Sequence, residues 1–166
     1  DVYTIHKHKP NFTDLTVAII GDIAHSRVAR SLIEGLKIMG TNNIHLIAPK
    51  ELVPDDVGNL GVSVSDNMQQ GLANADVVCA LRIQKERMQK SSVPNVENFY
   101  KEFGLTQASL AFAKDDAIVM HPGPLNRGVE IDSQVADGPQ SVILEQVSNG
   151  VAMRMAVMET LIASQS

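Results

Sequence analysis

The chain has 166 residues, 44% of them hydrophobic and 20% charged, which predicts one well-packed globular domain, or one domain plus a docking element, and excludes general disorder. A net charge of −5 argues against nucleic-acid binding, which needs a basic face to displace counterions. No apolar stretch reaches membrane-spanning length and no signal peptide leads the chain, so a soluble, cytoplasmic protein is expected.

Asp1-Val2-Tyr3-Thr4-Ile5-His6 opens without an initiator methionine. Val2, Ile5 and Lys9 mark the end of a helix stopped by Pro10, as in a fragment or a processed product. Thr16–Ile20 is β-branched and apolar, a first strand that Gly21-Asp22 ends. Ser26 reads as the cap of a helix with Val28, Leu32, Leu36 and Met39 on one face, stopped at Gly40. Ile44–Ala48 is a second strand closed by Pro49, and Val62–Val64 a short third. A helix over Asp66–Ala73 leads to the fourth strand, Asp76–Leu81. It holds the lone cysteine, Cys79, which reads as a buried, inert thiol. Helices over Val93–Phe103 and Thr106–Lys114 precede the fifth strand, Ala117–Met120.

Alternating strands and helices predict an α/β fold: a Rossmann-like, three-layer domain with a five-stranded parallel sheet. Right-handed crossovers give the order 3-2-1-4-5, with the switch point between the first and fourth strands. After Pro139 a long C-terminal helix follows, with an interruption at Asn149-Gly150. Its second part (Val151, Met155, Met158, Leu161, Ile162) is apolar around much of its circumference. Packing on its own domain and docking on something else are both open for it. Residues 1–10, 11–148 and 149–166 are therefore read as a linking helix, an α/β domain and a docking helix.

Three polar clusters arrive at one edge of this sheet, where open α/β sheets bind ligands. The first, Gly21-Asp22-Ile23-Ala24-His25-Ser26-Arg27, lacks the glycines of a dinucleotide fingerprint, which disfavours a nicotinamide cofactor and a nucleotide-binding domain. It offers Arg27 at a helix start, beside free backbone N–H groups. The second is Leu81-Arg82-Ile83-Gln84-Lys85-Glu86-Arg87. In an extended segment Arg82, Gln84 and Glu86 share one side, where a guanidinium, an amide and an orienting carboxylate can line a wall. A charged run of this kind is more often a solvated loop; the convergence of the other clusters sets it apart. Two guanidiniums across one crevice suit a small dianion, a dicarboxylate or a phosphate ester. The third cluster, His121-Pro122-Gly123-Pro124, is stiffened by two prolines that leave carbonyls turned outward. A histidine at such a strand end is more often a structural hydrogen-bonding residue than a general base. His6, His8, His25 and His45 lack ligand spacing, so no metal site is expected.

Taken in order, Gly21-Asp22…Ser26-Arg27, Arg82–Arg87 and His121-Pro122-Gly123-Pro124-Leu125-Asn126-Arg127-Gly128-Val129-Glu130-Ile131 resemble the C-terminal, aspartate-binding half of the aspartate carbamoyltransferase catalytic chain. The resemblance runs from Asp1 to the closing helix. It implies transfer of a carbamoyl group from carbamoyl phosphate to L-aspartate in de novo pyrimidine biosynthesis, without a cofactor. By it, Arg27 would bind the α-carboxylate of aspartate, Arg82 and Gln84 its side-chain carboxylate, and Glu86 would orient Arg82. Gly123 and Pro124 would present backbone carbonyls to the reacting amine and the carbamoyl group. Ornithine carbamoyltransferases carry a cysteine in this last loop; Gly123 here favours aspartate. The family's N-terminal phosphate loop and His-Pro-x-Gln motif are absent, so this segment is expected to be inactive alone, with no confident catalytic residue of its own. The resemblance further implies a homotrimeric parent with regulatory or dihydroorotase chains as candidate partners. The competing reading is a non-catalytic, carbamoyltransferase-like assembly module, which would have no need of Arg27, Arg82 and Gln84 together.

Overall fold

The apolar runs of the sequence form a single five-stranded sheet. β1 (Thr16–Ile20), β2 (Asn43–Ile47), β3 (Ser63–Ser65), β4 (Val77–Ala80) and β5 (Ile118–Met120) are all parallel, in the order β3-β2-β1-β4-β5. The computed structural model describes residues 1–83 and 95–164. Gln84, Glu86 and the expected helix start at Val93 lie outside them. In the centre of the sheet Val17 pairs with Ile44 and Val77, and Ile19 with Leu46 and Cys79. Every residue of β4 is buried, as is β1 after Thr16, so both sheet faces are covered. The outer edge of β5 is closed too: the Val119 N–H donates to Gln140 O (2.8 Å) and the Val142 N–H to Val119 O (2.9 Å).

The helices α1 (Val2–His8), α2 (Arg27–Ile38), α3 (Met68–Leu72), α4 (Val96–Phe103), α5 (Gln107–Leu110), α6 (Ser133–Ala136) and α7 (Ile143–Ala163) flank the sheet. α1 packs on α2 and α7, while α3 packs on α5 and α5 on α6, giving helix layers on the two faces. In α2 the Ser26 hydroxyl accepts from the Ala29 N–H at 3.1 Å, the cap expected from the sequence. Its buried stripe is Ala29, Leu32, Ile33 and Leu36. Met39, expected on that face, falls past the last helical residue and is 42% exposed.

Differences from the sequence reading lie at boundaries and in short elements. α5 is only four residues long, because Thr106 and Ser109 cap each other and Ser109 Oγ bonds back to Gly104 O, making a turn rather than a long helix. α6 and the 3₁₀ turns at Phe12–Asp14, Lys50–Leu52 and Val57–Leu60 carry too little periodicity to be read in advance. α7 runs unbroken through Asn149 and Gly150, since a helix of 21 residues tolerates one glycine. Its inner end is tied to α1: Gln146 Nε2 donates to Asp1 Oδ1 (2.7 Å), and Asn149 Nδ2 to Thr4 Oγ1 (3.0 Å). From Val151 to Ser164 all residues are exposed, among them Val151, Met155, Met158, Leu161 and Ile162. No helix among the described residues is long and apolar enough to cross a membrane.

Candidate functional site

The ends of β1, β4 and β5 meet at the switch point, where neighbouring crossovers diverge and leave a crevice. β1 passes into Gly21, whose φ of +121° suits glycine; a Cβ there would lie 2.9 Å from the Leu81 carbonyl oxygen. The missing side chain lets the two strand ends approach. Asp22 is buried and closes the following turn, accepting from the backbone N–H of His25 (3.2 Å) and from its Nδ1–H (2.7 Å). Ser26 then caps α2, and Arg27 is its first helical residue.

After β4 the chain keeps an in–out–in alternation. Leu81 and Ile83 are each 1% exposed, whereas Arg82 between them faces outward. The Leu81 N–H is held by Ile20 O at 2.7 Å. After β5, Gly123 adopts φ +68° with no atom within 4 Å of where a Cβ would stand, and the Gly123–Pro124 bond is cis. A cavity of ≈ 260 Å³ results, lined by Asp22, His25, Arg27, Arg82, Gly123 and Pro124 among others.

Four of the residues singled out in the sequence (Arg27, Arg82, Gly123 and Pro124) thus line one cavity; Gln84 and Glu86 lie outside the described residues. Arg30 and Arg127 are used differently. Arg30 pairs bidentately with Asp56 (3.0 Å each), and Arg127 with Asp137 (2.7 and 2.8 Å). Each guanidinium holds its partner carboxyl below the ordinary aspartate range. Among the described residues Arg27 and Arg82 have no acidic partner. Two guanidiniums and the N-terminus of α2 on one cavity give it a lining whose chemistry suits an anion.

Sequence reasoning missed the support behind this cavity. Glu130, 1% exposed, accepts from the Ile83 N–H (3.4 Å), the Asn126 N–H (2.5 Å), Asn126 Nδ2 (3.3 Å) and His121 Nε2 (3.2 Å). Asn126 Nδ2 also donates to Ile83 O at 3.1 Å. The Gly123 N–H donates to His121 Nδ1 (2.9 Å), which places the ring proton on Nε2, toward Glu130. With both ring nitrogens engaged and no exposed surface, His121 is a structural link. Its backbone N–H in turn donates to Gln146 Oε1 of α7 at 3.0 Å. The signal that could have revealed Glu130 is its place between two core residues, Val129 and Ile131.

Residues 13–161 match the family described as aspartate/ornithine carbamoyltransferase, Asp/Orn binding domain. The chain belongs to that family. Its fold is shared with ornithine carbamoyltransferase from Thermus thermophilus (TM-score 0.82, 20% identity, covering 97% of this chain and 53% of that one). The enzyme from Pyrococcus furiosus gives TM-score 0.81 at 22% identity, covering 95% and 53%. Aspartate transcarbamoylase from Trypanosoma cruzi, solved with carbamoyl aspartate and phosphate, gives TM-score 0.79 at 27% identity, covering 95% and 52%. The chain spans about half the length of each of these carbamoyltransferases.

Proposed function

We propose that this chain is the amino-acid-binding half of an aspartate carbamoyltransferase, which transfers a carbamoyl group from carbamoyl phosphate to L-aspartate in de novo pyrimidine biosynthesis. The observation that carries the reading is the pair of guanidiniums, Arg27 and Arg82, on one small cavity with no acidic partner among the described residues. Aspartate presents two carboxylates and is gripped at both ends. Ornithine presents one carboxylate and a distant ammonium, which a second guanidinium repels. Gly123 in place of a cysteine agrees with that choice.

In this scheme Arg27 takes the α-carboxylate and Arg82, with Gln84, the side-chain carboxylate, while Glu86 orients Arg82. The outward carbonyls around Gly123 and Pro124 accept the N–H bonds of the attacking amine. Its lone pair forms the new C–N bond, the carbamoyl C–O bond to phosphate breaks, and the amine proton leaves with the phosphate. The chain's contribution is orientation of the nucleophile. Carbamoyl phosphate is held by a second domain, joined through α1 and covering the C-terminal segment 149–166, and closure of the two expels water. A homotrimeric enzyme, alone or with regulatory or dihydroorotase chains, is the assembly this reading carries.

The test is carbamoyl aspartate formation by the transferase assembled with its carbamoyl phosphate-binding half. A charge-assisted bond of about 1.5–3 kcal/mol makes Arg27→Ala or Arg82→Ala raise the aspartate KM roughly 10- to 150-fold. Unchanged aspartate saturation in both variants, or turnover of ornithine in preference to aspartate, refutes the assignment. A non-catalytic assembly module would use the exposed apolar residues of α7 and have no need of the arginines; it predicts no product under any supply of the other half.

A further inference from the structure

We infer that Glu130 is a positioning residue for substrate binding: it locks the Arg82 segment to the Gly123–Pro124 loop and so fixes the guanidinium against those carbonyls. The inference rests on the proposed aspartate site and deepens it. Glu130 occupies a position that packing alone would fill with an apolar side chain, between buried Val129 (4% exposed) and Ile131 (0%). Among the described residues Glu130 has no lysine or arginine partner, and a buried carboxylate without one is expensive to desolvate. Its described partners are N–H donors, and these come from two different segments.

From the β4 side Glu130 takes the Ile83 N–H, the peptide group directly after Arg82. Asn126 Nδ2 takes the Ile83 carbonyl, so both polar groups of that residue's backbone are engaged by the 126–130 turn. Leu81, on the other side of Arg82, is fixed by Ile20 O. Arg82 is the one residue of this triplet whose side chain faces out, and its backbone has an anchor on each flank. From the β5 side Glu130 takes His121 Nε2, and the same ring receives the Gly123 N–H on Nδ1. One carboxylate therefore sets the distance between the guanidinium that holds a substrate carboxylate and the loop that meets the substrate amine. Such a network is worth more than its separate bonds, and it fails as a unit.

The experiment measures aspartate and carbamoyl phosphate saturation in the assembled transferase for the parent, E130Q, R82A and E130Q/R82A, with thermal melts of each. E130Q keeps the shape of the side chain but turns an amide toward N–H donors. The expected result is a rise in aspartate KM of roughly tenfold or more with carbamoyl phosphate KM within about twofold. Once residue 82 is alanine, E130Q should add less than about twofold, because it acts through the arginine that is gone. N126A and N126A/R82A, which leave the carboxylate in place, repeat the comparison should E130Q fail to fold. Full multiplication of the single effects in the double variants, or a lowered melting temperature with unchanged aspartate KM, overturns the inference and leaves the aspartate site standing. An R82A enzyme with the parent's aspartate saturation would instead remove the site reading on which it rests.

Discussion

Replacing Gly21 by alanine tests the geometry of the switch point directly. The new methyl must adopt φ +121°, a conformation that side chains rarely take, and must stand 2.9 Å from the Leu81 carbonyl oxygen. That oxygen belongs to backbone anchored at both ends, by the Leu81 N–H to Ile20 and by the Ile83 N–H to Glu130, so it cannot swing away as a flexible side chain would. Backbone strain of about 1–3 kcal/mol and overpacking of about 1–3 kcal/mol act together, offset by some 0.4–1 kcal/mol from the stiffer unfolded chain. A net loss of roughly 2–4 kcal/mol lowers the melting temperature of a chain this size by about 5–15 °C. Circular dichroism melts of the wild-type and Gly21→Ala proteins provide the comparison. The same methyl wedges β1 from β4, so anion binding at the cavity should weaken along with stability. A variant melting within 2 °C of wild type would show that the strand ends are not in the close contact described and would remove the argument.

Gly150 presents the opposite case. It lies inside α7, and a Cβ there would meet nothing nearer than the Arg154 guanidinium at 3.6 Å. Gly150→Ala should therefore stabilise the chain by about 0.5–1 kcal/mol in urea titrations, and a loss of stability would contradict the unbroken helix. Lys7 and His8 hold the Glu145 carboxyl down at about 2, against 4.5 for an ordinary glutamate. A carboxylate depressed in the folded state stabilises it above the ordinary value and loses that effect as pH falls toward 2. Melts of Glu145→Gln should accordingly differ from wild type near neutral pH and converge between pH 4.5 and 2; a constant difference would exclude the ion pairs as its source. Burial pushes the Cys79 thiol up to about 12, so a maleimide should label it only on global unfolding, and rapid labelling of the folded chain would refute its place in β4.

The sheet was readable because its strands obey one simple rule. Val17–Ile20 and Val77–Ala80 are continuously apolar, as strands covered on both faces must be, and right-handed crossovers give them one natural order. The cavity was readable for the same reason: Arg27, Arg82 and Gly123 each stand just past an apolar strand or at the first turn of its helix. What escaped notice has a different physical origin. Glu130 stands between two core residues, but nothing local announces that donors on Ile83, His121 and Asn126 will converge on it. α6 and the 3₁₀ turns are held by contacts rather than by periodicity. The continuity of α7 across Asn149-Gly150 depends on the length of helix around it, which a local breaker rule ignores.

The alternation at Leu81-Arg82-Ile83 has a consequence for how such a scaffold diversifies. Two side chains hold the framework and the one between them faces the cavity, so the outward residue can be exchanged while the anchors stay. Ornithine and aspartate carbamoyltransferases share this fold at 20% to 27% identity to the chain, and an outward position of this kind can change without disturbing the core. Selectivity can drift by single outward substitutions at the rim, without reopening the interior each time.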